Sequence, residues 1–339
     1  MTIGLVDLLI EHAPDSVVRR GVRLNCARRL ARERRGGEAR QSAFVSDLRR
    51  RAIAEHVVAA NEQHYEVPAD LFRLVLGPRL KYSCCYWPSG RETLAEAENA
   101  MLELSCERAQ VEDGMDILDL GCGWGSLTFW LAERYPRARI LAVSNSRLQR
   151  EAIEAESLRR GLAGVDVVTA DVNHFDPGRR FDRILSVEML EHVRNYPALL
   201  ARIASWLGPD GRLFVHVFSH RAFAYPYESG WLARTFFTGG TMPSHALLPS
   251  LVDELRLEDD WRLDGGHYRR TAEAWLERLD AHHDELLRVL AARYGASESS
   301  RHLRRWRVFF QAVAETWGYR GGTEWGVSHY RFAPTASRR

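Results

Sequence analysis

The sequence has 339 residues, 45% of them hydrophobic, enough to bury a large core in one enlarged domain or in a domain with a cap. Its 47 Lys and Arg nearly balance 45 Asp and Glu, and a net charge of +2 gives no whole-molecule case for nucleic-acid binding. No apolar run reaches membrane-spanning length, and MTIGLVDLLIEHAPDSVVRR lacks the basic, apolar and small-residue order of a secretion signal, so a cytoplasmic protein is expected.

Residues 1–80 show helical spacing at Leu5, Leu8 and Leu9, at Val18, Val22 and Leu30, and at Phe44, Leu48, Ile53 and Val57. This predicts a helical N-terminal region. Its arginine-rich stretch, RRGVRLNCARRLARERRGG, could bind phosphate or a lipid surface, but Glu33, Glu38 and Asp47 favour an ordinary solvated helix face. From Val111 short β-rich runs alternate with helical segments: MDILDLG, SLTFWLAERY, ARILAVSN, RLQREAIEAESLRRG, VDVVTAD, FDRILSV, YPALLARIASWLGPDG and RLFVHVF. That alternation implies right-handed crossovers and a mainly parallel sheet, a Rossmann-like α/β core over 81–225. Residues 226–317 read as an aromatic and helical cap with a return strand, its helices at about 271–294 and 299–317. Residues 318–339 supply a last strand candidate, WGVSHYRF, that completes the sheet. The five cysteines, Cys26, Cys84, Cys85, Cys106 and Cys122, are an odd set with an adjacent pair and fit reduced thiols better than disulfides.

ILDLGCGWGSL is a strand running into a glycine-rich turn that opens a helix. Glycines 121, 123 and 125 allow a sharp turn and close approach to a nucleotide or nucleoside. A lone G-x-G also marks ordinary strand-to-helix turns, and the G-x-G-x-G spacing departs from the dinucleotide fingerprint. Asp119, just before the glycines, can accept hydrogen bonds from the turn and from a ligand ammonium.

LDLGCGWG resembles the S-adenosylmethionine motif of class I methyltransferases. With LKYSCCYW, AVSNSRLQ and SVEMLEHV it resembles the cyclopropane-fatty-acid synthase family. Within that family HYEVPADLF, LAEAENAMLELSCERAQVEDG, SHRAFAYPYE and TEWGVSHYRF are most similar to coclaurine-type N-methyltransferases, a likeness running from Asn61 to the C-terminus. The resemblance implies a class I methyltransferase fold with a mainly parallel seven-stranded sheet. It also implies S-adenosyl-L-methionine (SAM) as cofactor, leaving S-adenosyl-L-homocysteine as product. By the same resemblance, Tyr82 and Ser83 would close over the methionine part, Gly121 and Gly123 would form its floor, Ser144, Asn145 and Gln149 would meet the ribose, and Asp171 would face the adenine. Asp171 as a turn cap and Gln149 as an exposed helix residue are the plainer readings. No metal ligands are assigned.

FDRILSVEMLEHVRNYP places three ionisable groups directly after a buried strand. If EMLEHV makes a helical turn, Glu188, Glu191 and His192 share one side of it, at the strand end where open α/β sheets bind ligands. An ammonium substrate must lose a proton before its nitrogen can attack a sulfonium methyl; a histidine is a natural acceptor and a carboxylate can hold the ammonium. The resemblance assigns these roles to His192 and Glu188. The competing reading is carbon methylation or cyclopropanation of unsaturated lipid chains. Cyclopropane synthases hold bicarbonate among a Cys, a Glu, a His and a Tyr, matched here by Cys84, Glu191, His216 and Tyr268. They typically carry glycine where this chain has Glu188, and that residue favours amine methylation. The aromatic residues Phe223, Tyr225, Tyr227, Trp231, Phe236 and Phe237 suit a flat ring, an acyl tail or a cation. The expected partner is a small amine, aromatic and cyclic types included, without nucleic acid and with membrane contact only for the lipid alternative. A homodimer is left open.

Overall fold

A computed structural model of the protein describes residues 12–55, 67–227 and 230–335. Leu5, Leu8, Leu9 and Val57, read above as helix positions, lie outside the described residues. Helices α1 (Asp15–Leu48), α2 (Ala69–Val75) and α3 (Leu94–Ala109) precede the first strand. The alternating core follows as β1 (Asp116–Leu120), α4 (Ser126–Arg134), β2 (Arg139–Ser144), α5 (Arg147–Arg160), β3 (Val165–Thr169), β4 (Phe181–Val187), α6 (Tyr196–Trp206) and β5 (Leu207–His220). Short β6 (Tyr225–Pro226), α7 (Trp231–Thr235) and β7 (Thr241–Met242) lead to β8 (Leu255–Asp264), α8 (Gly265–Ala281), α9 (His283–Tyr294), α10 (Ala296–Trp317) and β9 (Trp325–Pro334).

Seven strands form one sheet in the order β3-β2-β1-β4-β5-β9-β8. β1 pairs in parallel with β2 and β4, and β5 with β4, whereas β9 runs antiparallel to both β5 and β8. β1 shows why its sequence lacks polar alternation. Ile117 faces Leu102 and Cys106 of α3 and Leu131 of α4, while Leu118 and Leu120 face Leu199, Leu200 and Ile203 of α6. A parallel sheet covered on both faces favours apolar side chains on both, and the buried exception in β1, Asp119, is paired with the Thr128 hydroxyl. The chain order reverses between β1 and β4, which puts the glycine-rich turn and the end of β4 side by side.

The cap and the N-terminal helix each depart from the sequence expectation. The segment expected as one helix over 271–294 starts earlier, because the Asp264 side chain caps α8 by accepting from Gly266 N at 2.7 Å, and it breaks at His282. The arginine-rich α1, broken at Gly37 (φ 54°), is more than a solvated face. Arg19 pairs with Glu273 of α8 and Glu315 of α10, Arg23 also pairs with Glu315, and Arg34 reaches Glu324. Between these clamps Cys26 and Leu30 are buried, and Val18 and Val22 pack on the cap core. All five cysteines are free and buried. Among the described residues no helix is long and apolar enough to cross a membrane.

Candidate active site

The turn after β1 carries Gly121, Gly123 and Gly125 with φ of 89°, 54° and 84°. Gly121 N and Cys122 N both donate to Val143 O at 3.0 Å and tie the turn to β2. A Cβ on Gly121 would lie 2.6 Å from the Met189 side chain, whereas beside Gly123 there is open space. That space belongs to a cleft lined by Gly121, Gly123, Ser144, Asn145, Gln149, Asp171, Glu188 and His192. An adjoining cleft is lined by Lys81, Tyr82, Ser83, Asp119, Gly121, Gly123, Gln149 and Glu188. Every residue assigned to the cofactor from sequence lines one of these two spaces.

Their hydrogen bonds refine the individual readings. Ser144 Oγ donates to Gln149 Oε1 at 2.6 Å, which leaves Gln149 Nε2 a buried donor without a protein partner. Gln149 is buried, so its plainer reading as an exposed helix residue does not hold. Asp171 lines the cleft and also acts as the turn cap of its plainer reading: its Oδ1 accepts from Asn173 N at 2.8 Å and Asn173 Nδ2 at 2.9 Å. Asp119 accepts from Thr128 Oγ1 at 2.7 Å, and burial pushes its carboxyl up to about 6. An orphaned amide donor, a glycine opening onto the cleft and polar groups along its wall fit a bound nucleoside with an amino-acid arm.

At the end of β4 the geometry differs from a simple helical turn. Glu188 N donates to His216 O at 2.8 Å, and Glu188 has φ 47°, a left-handed conformation uncommon outside glycine. The following turn is a tight 3-10 turn at Leu190–His192, so the three ionisable groups do not share one helical side. Glu191 is buried, with Oε1 accepting from Phe218 N of β5 at 2.9 Å. His192 faces the cleft and stacks on Phe237, ring centroids 6.4 Å apart. Phe237, Tyr227, Trp231 and Trp317 line a larger, mostly apolar cavity of about 600 Å³ with Val18 and Val22 of α1.

Cys84, His216 and Tyr268, expected as a bicarbonate or substrate set, converge on the Glu188 carboxylate itself. Cys84 N donates to Oε1 at 2.9 Å, His216 Nε2 lies 3.3 Å from Oε1, and Tyr268 OH donates to Oε2 at 2.5 Å. Cys84 thus contributes its backbone; its thiol donates to Cys85 O at 3.3 Å, and burial holds its pKa well above the ordinary value. Glu191, expected in the same set, bonds Phe218 N and none of these donors. Three groups went unread in the sequence. Lys81 is buried, with Nζ donating to Ser83 Oγ at 2.5 Å and Cys84 O at 2.8 Å. His329 Nε2 lies 2.9 Å from His216 Nδ1, and Arg108 Nη1 lies 2.8 Å from His329 Nδ1. LKYSCCYW and WGVSHYRF were visible motifs, but nothing local aims Lys81 or His329 at Glu188.

Burial raises the Glu188 carboxyl, opposed chiefly by the Lys81 charge and then by the Cys84 N–H and Tyr268 hydroxyl. Glu191 is raised well above the carboxylate range by burial and by the neighbouring Glu188. Burial pushes His192 down to about 4, while Glu188 pulls it upward. The arrangement presents one donor-saturated carboxylate and one neutral imidazole to a cleft that can hold a nucleoside.

The mycolic acid cyclopropane synthetase family model matches residues 54–319. (S)-Coclaurine N-methyltransferase of Thalictrum flavum subsp. glaucum is 40% identical over 331 residues, covering 94% of this chain and 92% of that protein. Cyclopropane-fatty-acyl-phospholipid synthase of Escherichia coli strain K12 is 29% identical over 267 residues, covering 75% of this chain and 68% of that protein. Among solved structures, coclaurine N-methyltransferase bound to N-methylheliamine and SAH superposes with a TM-score of 0.91 at 37% identity, covering 96% of this chain and 98% of that one. With the glycine turn, the cleft and the sheet order agreeing, the chain belongs to the mycolic acid cyclopropane synthetase family and is a SAM-dependent methyltransferase of the class I fold.

Proposed function

We propose that this enzyme methylates the nitrogen of a small amine, aromatic or cyclic types included, using Glu188 to hold the ammonium and His192 to take its proton. The observation that carries the reading is the Glu188 carboxylate, fixed by Cys84 N, His216 and Tyr268 beside a neutral imidazole in the cleft. The identity to a coclaurine N-methyltransferase over nearly the whole chain points the same way. Gly121, Gly123, Tyr82, Ser83 and Asp119 would hold the methionine part of SAM, Ser144, Asn145 and Gln149 the ribose, and Asp171 the adenine. SAM when bound supplies an electrophilic methyl group on a sulfonium. Glu188 draws in the protonated amine, whose positive charge its carboxylate balances. His192 accepts one N–H proton, freeing the lone pair. The amine nitrogen then bonds to the methyl carbon as the carbon–sulfur bond breaks. Phe237 and the apolar cavity beyond it would receive the rest of the substrate. Buried free thiols favour a reducing, cytoplasmic setting.

The lipid reading draws on Cys84, Glu191, His216 and Tyr268, the residue types that resemble a bicarbonate site. Here the donors of that set are occupied by a side-chain carboxylate, which has the shape and charge of the ion it would displace. Incubation with SAM and separate pools of amines and unsaturated phospholipids, read by mass spectrometry, tests the choice. A methyl gained on an amine, with no response to bicarbonate in decarbonated buffer, is expected. Methylene or methyl gain on acyl chains with strong bicarbonate stimulation would replace this reading with the lipid one.

A further inference from the structure

We propose that Arg108, His329 and His216 form a one-way chain of hydrogen-bond donors that keeps Glu188 an acceptor and aims its carboxylate at the substrate; the inference rests on the amine reading above. The antiparallel register of β5 and β9 sets His216 directly opposite His329, and both rings are buried. Arg108 comes from the last turn of α3, with its guanidinium over the Trp261 ring at 4.7 Å. A guanidinium has donors only, so the His329 Nδ1 that lies 2.8 Å from Arg108 Nη1 must present a lone pair. The proton of a neutral His329 then sits on Nε2, 2.9 Å from His216 Nδ1, which must accept it. His216 therefore carries its own proton on Nε2 and directs it at Glu188 Oε1, 3.3 Å away. The donor-only guanidinium at one end and the acceptor-only carboxylate at the other require the same pair of tautomers.

The chain cannot take up a proton without breaking. A second proton on His329 would face the Arg108 N–H, and a second proton on His216 would face the His329 N–H. Desolvation acts in the same direction, holding both rings well below the ordinary histidine pKa. The groups facing Glu188 from other elements are Lys81 and Cys84 ahead of α3 and Tyr268 on α8, with Glu191 and His192 from its own turn. None of these selects the tautomer of His216. Arg108 and His329 are positioning residues: they touch neither substrate nor cofactor and act through His216.

Nitrogen-15 histidine labelling of the full-length enzyme, with long-range proton–nitrogen spectra, reads the tautomer of each ring. Both His216 and His329 should be neutral and Nε2-protonated from about pH 6 to 9, without titrating in the range where an ordinary histidine does. Arg108→Met, which keeps a stem over Trp261 but cannot donate, should raise KM for the amine roughly tenfold, the scale of one charge-assisted hydrogen bond, while kcat and SAM affinity change little. Arg108→Lys, also a donor only, should restore most of the loss. An Nδ1 proton on either ring, or a wild-type KM in Arg108→Met, overturns the chain. Correct tautomers in an enzyme that methylates no amine would uphold the chain and overturn the functional reading instead.

Discussion

Glu188 sits at φ 47°, where a side chain costs on the order of 1 kcal/mol or more over glycine, and it is retained because the distorted backbone turns its carboxylate toward three donors. Replacing it with glycine relieves the backbone and leaves Cys84 N, His216 and Tyr268 around a carboxylate-sized gap. Glu188→Gly should therefore lose at least tenfold in kcat/KM for a protonated amine, and formate or bicarbonate should restore part of it, read as a saturable activation. Absence of any rescue together with near-normal activity would show that this carboxylate is structural. His192 is a different case. With its pKa pushed down to about 4, the imidazole loses its role as acceptor only as pH falls through that value and is already neutral throughout the alkaline range. His192→Ala should lower kcat about 100-fold near pH 6, the low end for a positioned base, and the deficit should narrow toward pH 9. In that interval the wild-type rate should be nearly flat, because the protonated amine and the neutral imidazole are both the prevailing forms, whereas the rate of the alanine variant should rise as the amine loses its own proton. An inflection near 6.5 that disappears in the alanine variant would place the histidine in a more solvated site.

The elements that carry these side chains are set by short-range signals. α6 begins directly after the active-site turn because Asn195 Oδ1 accepts from Ala198 N at 3.1 Å and Pro197 occupies its first turn. The same Asn195 donates from Nδ2 to Arg51 O at 2.9 Å and so ties the chain just after α1 to the segment that follows β4. Asn195→Ala should cost about 1–2 kcal/mol in urea denaturation, and Asn195→Asp, which keeps the cap oxygen but not the amide donor, less than that. Equal losses in the two variants would mean that the link to α1 outweighs the cap. The alternating strands and helices of the core were legible because their apolar periods differ. The break at His282 was not, since helical spacing continues across it, whereas the break in α1 falls on the Gly36–Gly37 pair, where Gly37 takes φ 54°.

For the molecule as a whole, SAM binds the folded state alone and must raise its stability, by about 2.7 kcal/mol at a hundredfold excess over Kd. Thermal unfolding should shift upward accordingly. Gly123→Val should abolish the shift, because the added side chain would enter the open cleft from a backbone at φ 54°. An undiminished shift in that variant would move the cofactor elsewhere. The cap depends on the N-terminal helix in a comparable way. Arg19 and Arg23 bridge α1 to Glu315, so the helix closes one wall of the apolar cavity beside His192 and Phe237.

The sequence by itself determined the sheet-forming runs, the glycine turn, and the place of Glu188, Glu191 and His192 directly after β4, beside that turn. Each follows from a local rule: a strand buried on both faces favours apolar residues, a turn at positive φ favours glycine, and ligands gather where β1 and β4 diverge. Tertiary structure alone decided how the ionisable groups are used. His216 and His329 are 113 residues apart and Arg108 and His329 are 221 apart, and strand register and helix docking bring them into one line. Cys84 was visible as a thiol but serves through its amide, and the arginines of α1 were visible as charge but serve as clamps. Hydrogen-bond direction depends on which atoms meet across space, and neither residue type nor spacing encodes that.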